Sequence, residues 1–284
     1  MVAITAKLVQ MKIQFFYLND KVYFMNLKRL LLISAGIIIL ILLSGFFIII
    51  FPFVGNKQVV NNAEFADGRI ISVIDGMSQA FILNGKDGDI GLIDAGNSPD
   101  GKPILKALAV KGIKPSDVKS IFLTHGHPDH IAAAGIFKNA KIYSLKEEVP
   151  ISEGIKNNSS PLAFLFGTSP TGLKVTNILK DGEVVTLGSL KIEVFSIPGH
   201  TAGSAAYLVN GVLFLGDAAL SSSDDKIKHA VWAFSTDVNQ QNRSLKSLAL
   251  KLLPRKNEIK SIVFSHSGHI EGLQPLINFA DGVK

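Results

Sequence analysis

Short apolar runs recur along the chain between residues 70 and 264, and a glycine, a proline or a polar residue follows each run. Runs of this length that are rich in β-branched residues predict buried strands. We expect strands at residues 70–74, 80–83, 90–93, 121–124, 191–197, 211–215 and 259–264. A helix is expected at residues 100–111. Strand-rich halves that alternate with helices predict an α/β fold in which two sheets pack between helical layers.

The longest apolar segment is residues 30–54, which contain 25 residues and no charge. As a helix this segment would extend about 37 Å, more than the roughly 30 Å of a bilayer's hydrocarbon core. It has no polar face, and the part of the chain that follows it looks complete without it. We therefore predict a transmembrane helix rather than a buried core helix.

The charges that flank this span predict its orientation. The cations before it are Lys7, Lys12, Lys21, Lys28 and Arg29. Only Asp20 opposes them, and Lys57 is the sole nearby cation after the span. The positive-inside rule then keeps the N-terminal arm in the cytoplasm and exports the rest.

A cleaved signal peptide is the alternative, but its apolar core is usually only about 7 to 15 residues long. The longer run and the lack of a convincing Ala-x-Ala site favour an uncleaved signal anchor. Met25 is a second candidate start, and residues 1–24 are either a short extension or a start-site artefact.

These features divide the chain into four expected parts. They are a basic cytoplasmic arm at 1–29, a signal anchor at 30–54, a linker at 55–66 and a folded domain at 67–284. The net charge is +6, to which the arm contributes five cations and one anion, so the rest carries only +2. Without a basic stripe interleaved with aromatic residues, no nucleic acid is expected as a partner. The absence of cysteine excludes disulfides, a lipoprotein anchor and thiolate chemistry.

The densest cluster of candidate ligands follows the strand predicted at 121–124. His125, His127, Asp129 and His130 lie within six positions of one another. The intervening glycine and proline bend the chain, so these side chains can converge. Imidazole suits zinc and other borderline divalent metals, and a carboxylate adds a harder oxygen ligand. The cluster therefore predicts a transition-metal site.

A ligand-type residue also lies just beyond the end of three later apolar runs. These residues are His200, Asp217 and His266. Residues at the ends of neighbouring strands gather at one rim of a sheet, so we expect these side chains to complete the site. His269 is an alternative to His266, but His266 directly follows its strand, which fixes its reach.

The order and spacing of these residues resemble those of the metallo-β-lactamase fold hydrolase superfamily. The pattern there is His-x-His-x-Asp-His, then a histidine, an aspartate and a last histidine, each after a strand. The resemblance covers about residues 67–284 and includes segments at 92–96, 181–183 and 201–204. It implies a four-layer αββα sandwich.

The resemblance also implies two divalent metal ions, with zinc expected first and iron or manganese as alternatives. The implied ligands of the first ion are His125, His127 and His200. Those of the second are Asp129, His130 and His266. Asp217 would bridge the two ions, and Asp94 would hold a ligand loop without touching a metal.

Such a centre predicts hydrolysis of a small-molecule substrate. Two divalent ions lower the pKa of a shared water to roughly neutral and so supply a bridging hydroxide. With two carboxylates and one hydroxide the centre keeps a charge of about +1, which favours a developing oxyanion. Asp129 would orient the hydroxide or pass its proton to the leaving group, as its family equivalents are thought to do.

We rank an ester, thioester or lactone first, a phosphodiester second and a β-lactam third. Asp217 argues against the branches of the family that lack a bridging carboxylate, including typical β-lactamases. His127 argues against the flavodiiron branch, and a persulfide dioxygenase with one iron is disfavoured by His130 and His266. A catalytically silent envelope protein is the alternative of a different class.

Other segments give weaker expectations about the surroundings of the site. Residues 150–172 carry an apolar patch at 162–166 and are either a lid or a surface helix. Trp232 and Phe234 are candidates for a pocket wall, and His229 is expected to be a solvated loop residue. Thr201 and Ser204 are expected to cap backbone N–H groups.

Overall fold

Contacts divide the chain into two units, Met1–Val54 and Gly55–Lys284. The structure, a computed structural model, describes residues 16–18, 21–23, 27–86, 88–163 and 171–283.

The first unit contains a short hairpin and a long apolar helix. The hairpin pairs β1 (Phe16–Leu18) with β2 (Lys21–Tyr23). Helix α1 (Leu27–Gly45) follows and continues through a π-helical turn and a 3-10 turn to Phe53. Within it, Lys28–Phe53 is long and apolar enough to cross a membrane. Its leucine and isoleucine side chains are largely exposed, and a helix satisfies its own backbone in lipid.

In the described part of the second unit, seven strands form the first sheet, and they lie side by side in chain order. They are β3 (Glu64–Phe65), β4 (Ile70–Asp75), β5 (Ser78–Asn84), β6 (Ile90–Ile93), β7 (Val118–Phe122), β8 (Lys141–Leu145) and β9 (Asn177–Leu179). The pairs from β3 to β6 are antiparallel and those from β6 to β9 are parallel. Helices α2 (Lys102–Val110), α3 (Pro128–Ile131) and α4 (Val149–Ser152) lie in the connections.

The second sheet contains β10 (Val184–Leu187), β11 (Leu190–Ser196), β12 (Ala205–Val209), β13 (Val212–Phe214), β16 (Ser261–Val263) and β17 (Ile270–Glu271), in that order. A separate hairpin pairs β14 (Ala219–Ser221) with β15 (Ile227–His229). Helices α5 (Val238–Leu252) and α6 (Gln274–Gly282) follow in the chain.

Among the described residues of the second unit, three apolar cores separate four layers of secondary structure. One core packs the first sheet against α2, through residues such as Leu92 and Ile104. A central core joins the two sheets, where the rings of Phe81 and Phe214 meet edge to face with centroids 5.0 Å apart. The third core packs the second sheet against α5 and α6, through residues such as Leu245. The αββα sandwich implied by the resemblance is confirmed.

Residues 55–66, for which the composition predicts a linker, form part of the folded second unit. The backbone N–H of Asn62 donates to the carbonyl of Ser72 at 2.9 Å, and β3 pairs with β4. The side chain of Asn61 also accepts the N–H of Ile74 at 3.0 Å. These hydrogen bonds extend the pairing at the edge of the sheet, so the folded part begins before residue 67.

Candidate metal centre

The structure brings all seven predicted ligands together. They form two groups, and within each group one ligand atom per residue lies within 4.8 Å of the others. The first group is His125, His127, His200 and Asp217; the second is Asp129, His130 and His266. On the side of the first sheet, the loop after β7 supplies His125 and His127, and helix α3 supplies Asp129 and His130. On the side of the second sheet, the loops after β11, β13 and β16 supply the other ligands.

In the first group three imidazole nitrogens converge. The Nδ1 of His127 lies 2.9 Å from the Nε2 of His125 and 3.0 Å from the Nε2 of His200. The Oδ2 of Asp217 lies 3.9 Å from the Nε2 of His125 and 3.6 Å from that of His200. This is the donor set of a metal site with imidazole and carboxylate ligands.

The second group adjoins the same aspartate. The Oδ2 of Asp129 lies 3.5 Å from the Nε2 of His130 and 3.2 Å from the Nε2 of His266. The carboxylate of Asp217 lies 3.0 Å from the Nε2 of His266 through Oδ2, and 3.4 Å from that of His130 through Oδ1. Asp217 therefore contacts both groups.

Some donor atoms of the two groups are better satisfied by a divalent metal ion than by hydrogen bonds to one another. The buried Nε2 of His130 and Oδ1 of Asp217 have no hydrogen-bond partner of acceptable geometry among the described residues. Buried polar atoms without partners are costly in a folded protein, and coordination to a cation would remove that cost.

His269 lies outside both groups. Its Nε2 is 3.4 Å from the Oε1 of Glu271, and its ring packs edge to face against Phe65. The geometry therefore favours His266 as the last ligand.

The histidines of the first group are neutral. Burial lowers the pKa of His125 well below its usual value. Burial also lowers the pKa of His127 to about 3 and that of His200 to about 4. Neutral imidazoles keep a free lone pair, which is the form that binds metal.

The second group has the opposite charge state. Burial opposes protonation of His266, but the carboxylates of Asp217 and Asp129 raise its pKa to about 10. The same carboxylates, with Asp94, overcome burial at His130 and raise its pKa well above the usual value. In turn, His130 and His266 hold the pKa of Asp129 at about 2, although burial opposes this. A metal cation that binds the second group must therefore displace protons from His130 and His266.

Asp94 orients the ligand loop after β7. Its Oδ2 lies 2.8 Å from the Nδ1 of His130. The carboxylate also accepts the backbone N–H and the hydroxyl of Thr124, both at 2.7 Å, and that hydroxyl lies 3.1 Å from the Nδ1 of His125. A hydrogen bond to the second ring nitrogen fixes the orientation of a ligating imidazole. Asp94 thus occupies the supporting position that the resemblance implies.

Other contacts orient the remaining imidazoles, and nothing in the sequence indicated them. The Nδ1 of His200 lies 3.0 Å from the hydroxyl of Ser235, and the Nδ1 of His266 lies 2.7 Å from the carbonyl of Met77. The Nε2 of His127 contacts the side-chain amide of the buried Asn158. Each imidazole therefore has one ring nitrogen held outside the centre.

Glu148 is a buried carboxylate that joins the ligand loops of the two sheets. It accepts the N–H of Gly126 at 2.7 Å, the hydroxyl of Thr201 at 2.6 Å and the N–H of Gly203 at 2.9 Å. Burial raises its pKa, and these hydrogen bonds oppose the rise. A Cβ on Gly203 would lie 2.3 Å from the backbone nitrogen of Glu148, so only glycine allows this approach.

Thr201 and Ser204, both predicted caps, have different roles. The hydroxyl of Ser204 accepts the N–H of Thr201 at 2.9 Å, as a cap does. The hydroxyl of Thr201 instead donates to Glu148.

Predictions from the sequence also concern His229, Trp232 and a lid at residues 150–172. His229 is exposed, and its Nδ1 lies 2.9 Å from the Oδ1 of Asn242, so it stays outside both groups. Trp232 is 59% exposed at the start of a 3-10 turn, Trp232–Phe234. Of the predicted lid, residues 164–170 lie outside the described residues, and with them most of the apolar patch.

Comparison with known proteins identifies the family. The model of the family described as "Metallo-beta-lactamase superfamily" matches residues 73–266. Among solved structures, a metallo-beta-lactamase family protein from Thermus thermophilus is similar at 23% identity, over 75% of this chain and 76% of that chain, with a TM-score of 0.54.

Two subclass B3 metallo-beta-lactamases are also similar in structure. The one from Bradyrhizobium japonicum has 18% identity over 81% of this chain and 90% of its own, with a TM-score of 0.56. The one from a soil metagenome library has 17% identity over 81% and 94%, with a TM-score of 0.59. Identities this low show a common fold alone. Because the family match covers more than half of its length, the chain belongs to the metallo-beta-lactamase superfamily and has that family's hydrolase fold with a metal-binding site.

Proposed function

We propose that this protein is a hydrolase with two zinc ions that cleaves an ester, thioester or lactone bond in a small molecule. The observation that carries the proposal is the position of Asp217. Its carboxylate lies 3.6 Å from His200 of the first group and 3.0 Å from His266 of the second. One carboxylate within reach of both groups is what a shared bimetallic centre requires.

In this proposal each residue has a defined part. The ligands of the first ion are His125, His127 and His200. Those of the second are Asp129, His130 and His266, and Asp217 reaches both. When bound, the two ions supply hydroxide from water near neutral pH.

Asp129 is the proposed catalytic residue among the ligands. Its side chain is 25% exposed, whereas that of Asp217 is 12% exposed, so Asp129 is the carboxylate more open to a substrate. Its pKa of about 2 keeps it ionised at neutral pH. An ionised carboxylate here can accept a hydrogen bond from the nucleophile, orient it and carry its proton to the leaving group.

The protein around the ligands supports this role by holding them before a substrate arrives. Asp94, Ser235 and the carbonyl of Met77 fix His130, His200 and His266. Fixed, buried ligands would hold the two positive ions in one position, next to the point where an oxyanion develops.

The choice of a carbonyl substrate rests on Asp217, because typical β-lactamases belong to branches without a bridging carboxylate. The subclass B3 relatives in structure make β-lactam hydrolysis a second candidate. Phosphodiester hydrolysis at the same centre is a further alternative. The remaining alternative is an envelope protein that keeps the fold but has no catalytic activity.

We also propose where the reaction occurs. Lys28–Phe53 would anchor the protein in the cell membrane as a single span, with the basic arm in the cytoplasm and the metal centre outside. The lipid bilayer and a small-molecule substrate are then its expected partners.

A substrate panel tests this proposal with matched histidine variants. Full-length protein in detergent is loaded with zinc and assayed with a thioester, a lactone, a phosphodiester and a cephalosporin. We expect a carbonyl substrate to be hydrolysed fastest, His127→Ala to abolish turnover and His269→Ala to retain it. If His127→Ala keeps full activity, the assigned centre is not the catalyst.

A further inference from the structure

The segment directly after the apolar helix in the sequence is bound to the loop that carries His266. We call residues 55–58 the strap. The backbone N–H of Lys57 donates to the carbonyl of Ser221 in β14 at 3.0 Å, and its carbonyl accepts the N–H of Gly268 at 2.8 Å. Asn56 pairs with Ser222 as an antiparallel bridge. The strap therefore uses its backbone to join β14 to the loop at Gly268.

The strap lies so close to this loop that a side chain would not fit between them. A Cβ on Gly268 would lie 2.3 Å from the carbonyl oxygen of Gln58 and 3.0 Å from the Cγ of Lys57. Gly268 does not have a positive φ. An alanine there would therefore displace the strap without backbone strain of its own.

The loop between Phe264 and Gly268 is held from two sides. On one side the amide of Gln79 donates to the carbonyls of Phe264 at 2.7 Å and Ser267 at 3.0 Å. On the other side the N–H of Ser221 donates to the hydroxyl of Ser267 at 2.8 Å, and the hydroxyl of Ser221 donates to the carbonyl of Gly268. The strap bonds both Ser221 and Gly268, so it completes this second support.

We propose that the strap is a positioning segment for the second metal ion. It holds β14 and Gly268 together and so fixes His266, two residues away, in the geometry that binds the ion. This inference rests on the proposed function, because it takes His266 as a ligand of that ion. In this proposal the segment that follows the apolar helix in the chain also supports the position of His266. A chain cut at residue 60 keeps every ligand but lacks this support.

The test compares backbone and side-chain changes at Lys57 in the full-length protein in detergent. Lys57→Pro removes the N–H that bonds Ser221. Lys57→Ala keeps both backbone groups and removes the side chain with its ion pair to Asp225. Gly268→Ala displaces the strap independently, and Gly135→Ala is its control, because a Cβ there meets nothing within 4 Å.

Competition with a chelator measures the affinity of the protein for each of two zinc ions. The binding step that His266→Ala loses identifies the second ion. We expect Lys57→Pro and Gly268→Ala to lower the affinity for the second ion about tenfold or more, which is the range for the loss of contacts that orient metal ligands. The affinity for the first ion should change by less than about twofold, since its three histidines, His125, His127 and His200, lie on other loops. Both controls should bind both ions as the wild type does.

Wild-type affinity for the second ion in folded Lys57→Pro and Gly268→Ala would overturn the inference. If both variants unfold, hydrogen exchange in the metal-free wild type decides: we expect residues 55–58 and 264–268 to exchange together, and independent exchange would overturn it. If the wild type binds no second ion, the proposed function fails, and the same exchange measurement still tests the strap.

Discussion

Charge divides the five histidines of the centre into two sets. His125, His127 and His200 are neutral because burial lowers their pKa values. His130 and His266 hold protons at neutral pH because carboxylates surround them. The first ion would meet ligands that are ready to bind, whereas the second must displace protons.

This difference predicts how metal binding depends on pH. Since ligands bind in their deprotonated form, we expect the affinity for the second ion to rise between pH 6 and pH 9, by up to about tenfold per pH unit for each proton displaced. The first ion should be nearly insensitive to pH in that range, because the pKa values of His127 and His200 are about 3 and about 4. Chelator competition at several pH values and proton release in weak buffer measure this. Equal pH dependence of both ions would contradict the assigned charges.

Glu148 gives a second prediction at this scale. Glu148→Gln keeps the shape but turns an amide N–H₂ toward at least one of the donors of Gly126, Thr201 and Gly203. Loss of a buried hydrogen bond to a charged acceptor costs about 1.5–3 kcal/mol, so the free energy of unfolding should fall by about that amount. Urea denaturation measures it. Glu147→Gln is the control, because Glu147 is exposed. Equal stability of the two variants would show that the Glu148 carboxylate does not join the loops.

The ligands could be predicted from the sequence, whereas their supports could not. Each predicted ligand follows an apolar run, which gives it a recognisable position along the chain. Glu148 follows another glutamate in a charged turn, and Asn158 lies in a polar segment. Such residues look like surface positions until tertiary contacts bury them, so no local pattern distinguishes them.

At the level of elements, the strands were predictable where both faces are buried. Ile90–Ile93 has the expected bounds because every residue in it is buried. The start of β7 was missed because the exposed Lys119 interrupts the apolar run. At the end of β4, Asp75 is buried although it is charged, because it accepts the N–H groups of Asn97 and Ser98 at 2.9 and 2.8 Å. Composition alone does not reveal such pairing.

The apolar helix carries the prediction about topology. The chain has no cysteine, so a single introduced cysteine reports its own side of the membrane. We expect Lys106→Cys, at an exposed position of α2, to react with a membrane-impermeant maleimide in intact spheroplasts. Lys7→Cys in the basic arm should react only after the membrane is permeabilised. The reverse pattern would contradict the proposed orientation.

At the scale of the whole molecule, the centre exists only when the two sheets pack together. The first sheet supplies His125, His127, Asp129 and His130, and the second supplies the remaining ligands. The sequence shows that ligands follow strands, but which strand ends meet depends on the pairing of the sheets. Only the resemblance to a family gave that arrangement in advance.

The central core therefore controls both stability and metal binding. Phe214→Ala removes a ring that packs against Phe81 between the sheets, and we expect it to lower the free energy of unfolding by about 3–5 kcal/mol. It should also lower the affinity for both metal ions, because the ligands from the two sheets lose their common support. Leu250→Ala is the control, since Leu250 is 61% exposed. Denaturation with and without zinc measures both effects. Unchanged metal affinity in Phe214→Ala would mean that the centre does not depend on this packing.

Anomalous X-ray diffraction at the zinc edge, from crystals of the zinc-loaded protein, would locate both proposed ions. We expect two anomalous peaks per chain, roughly 3.5–4 Å apart. One lies among His125, His127 and His200, the other lies among Asp129, His130 and His266, and Asp217 is within coordination distance of both. Histidines too far apart to share an ion, or a fully loaded protein without peaks at these positions, would contradict this expectation.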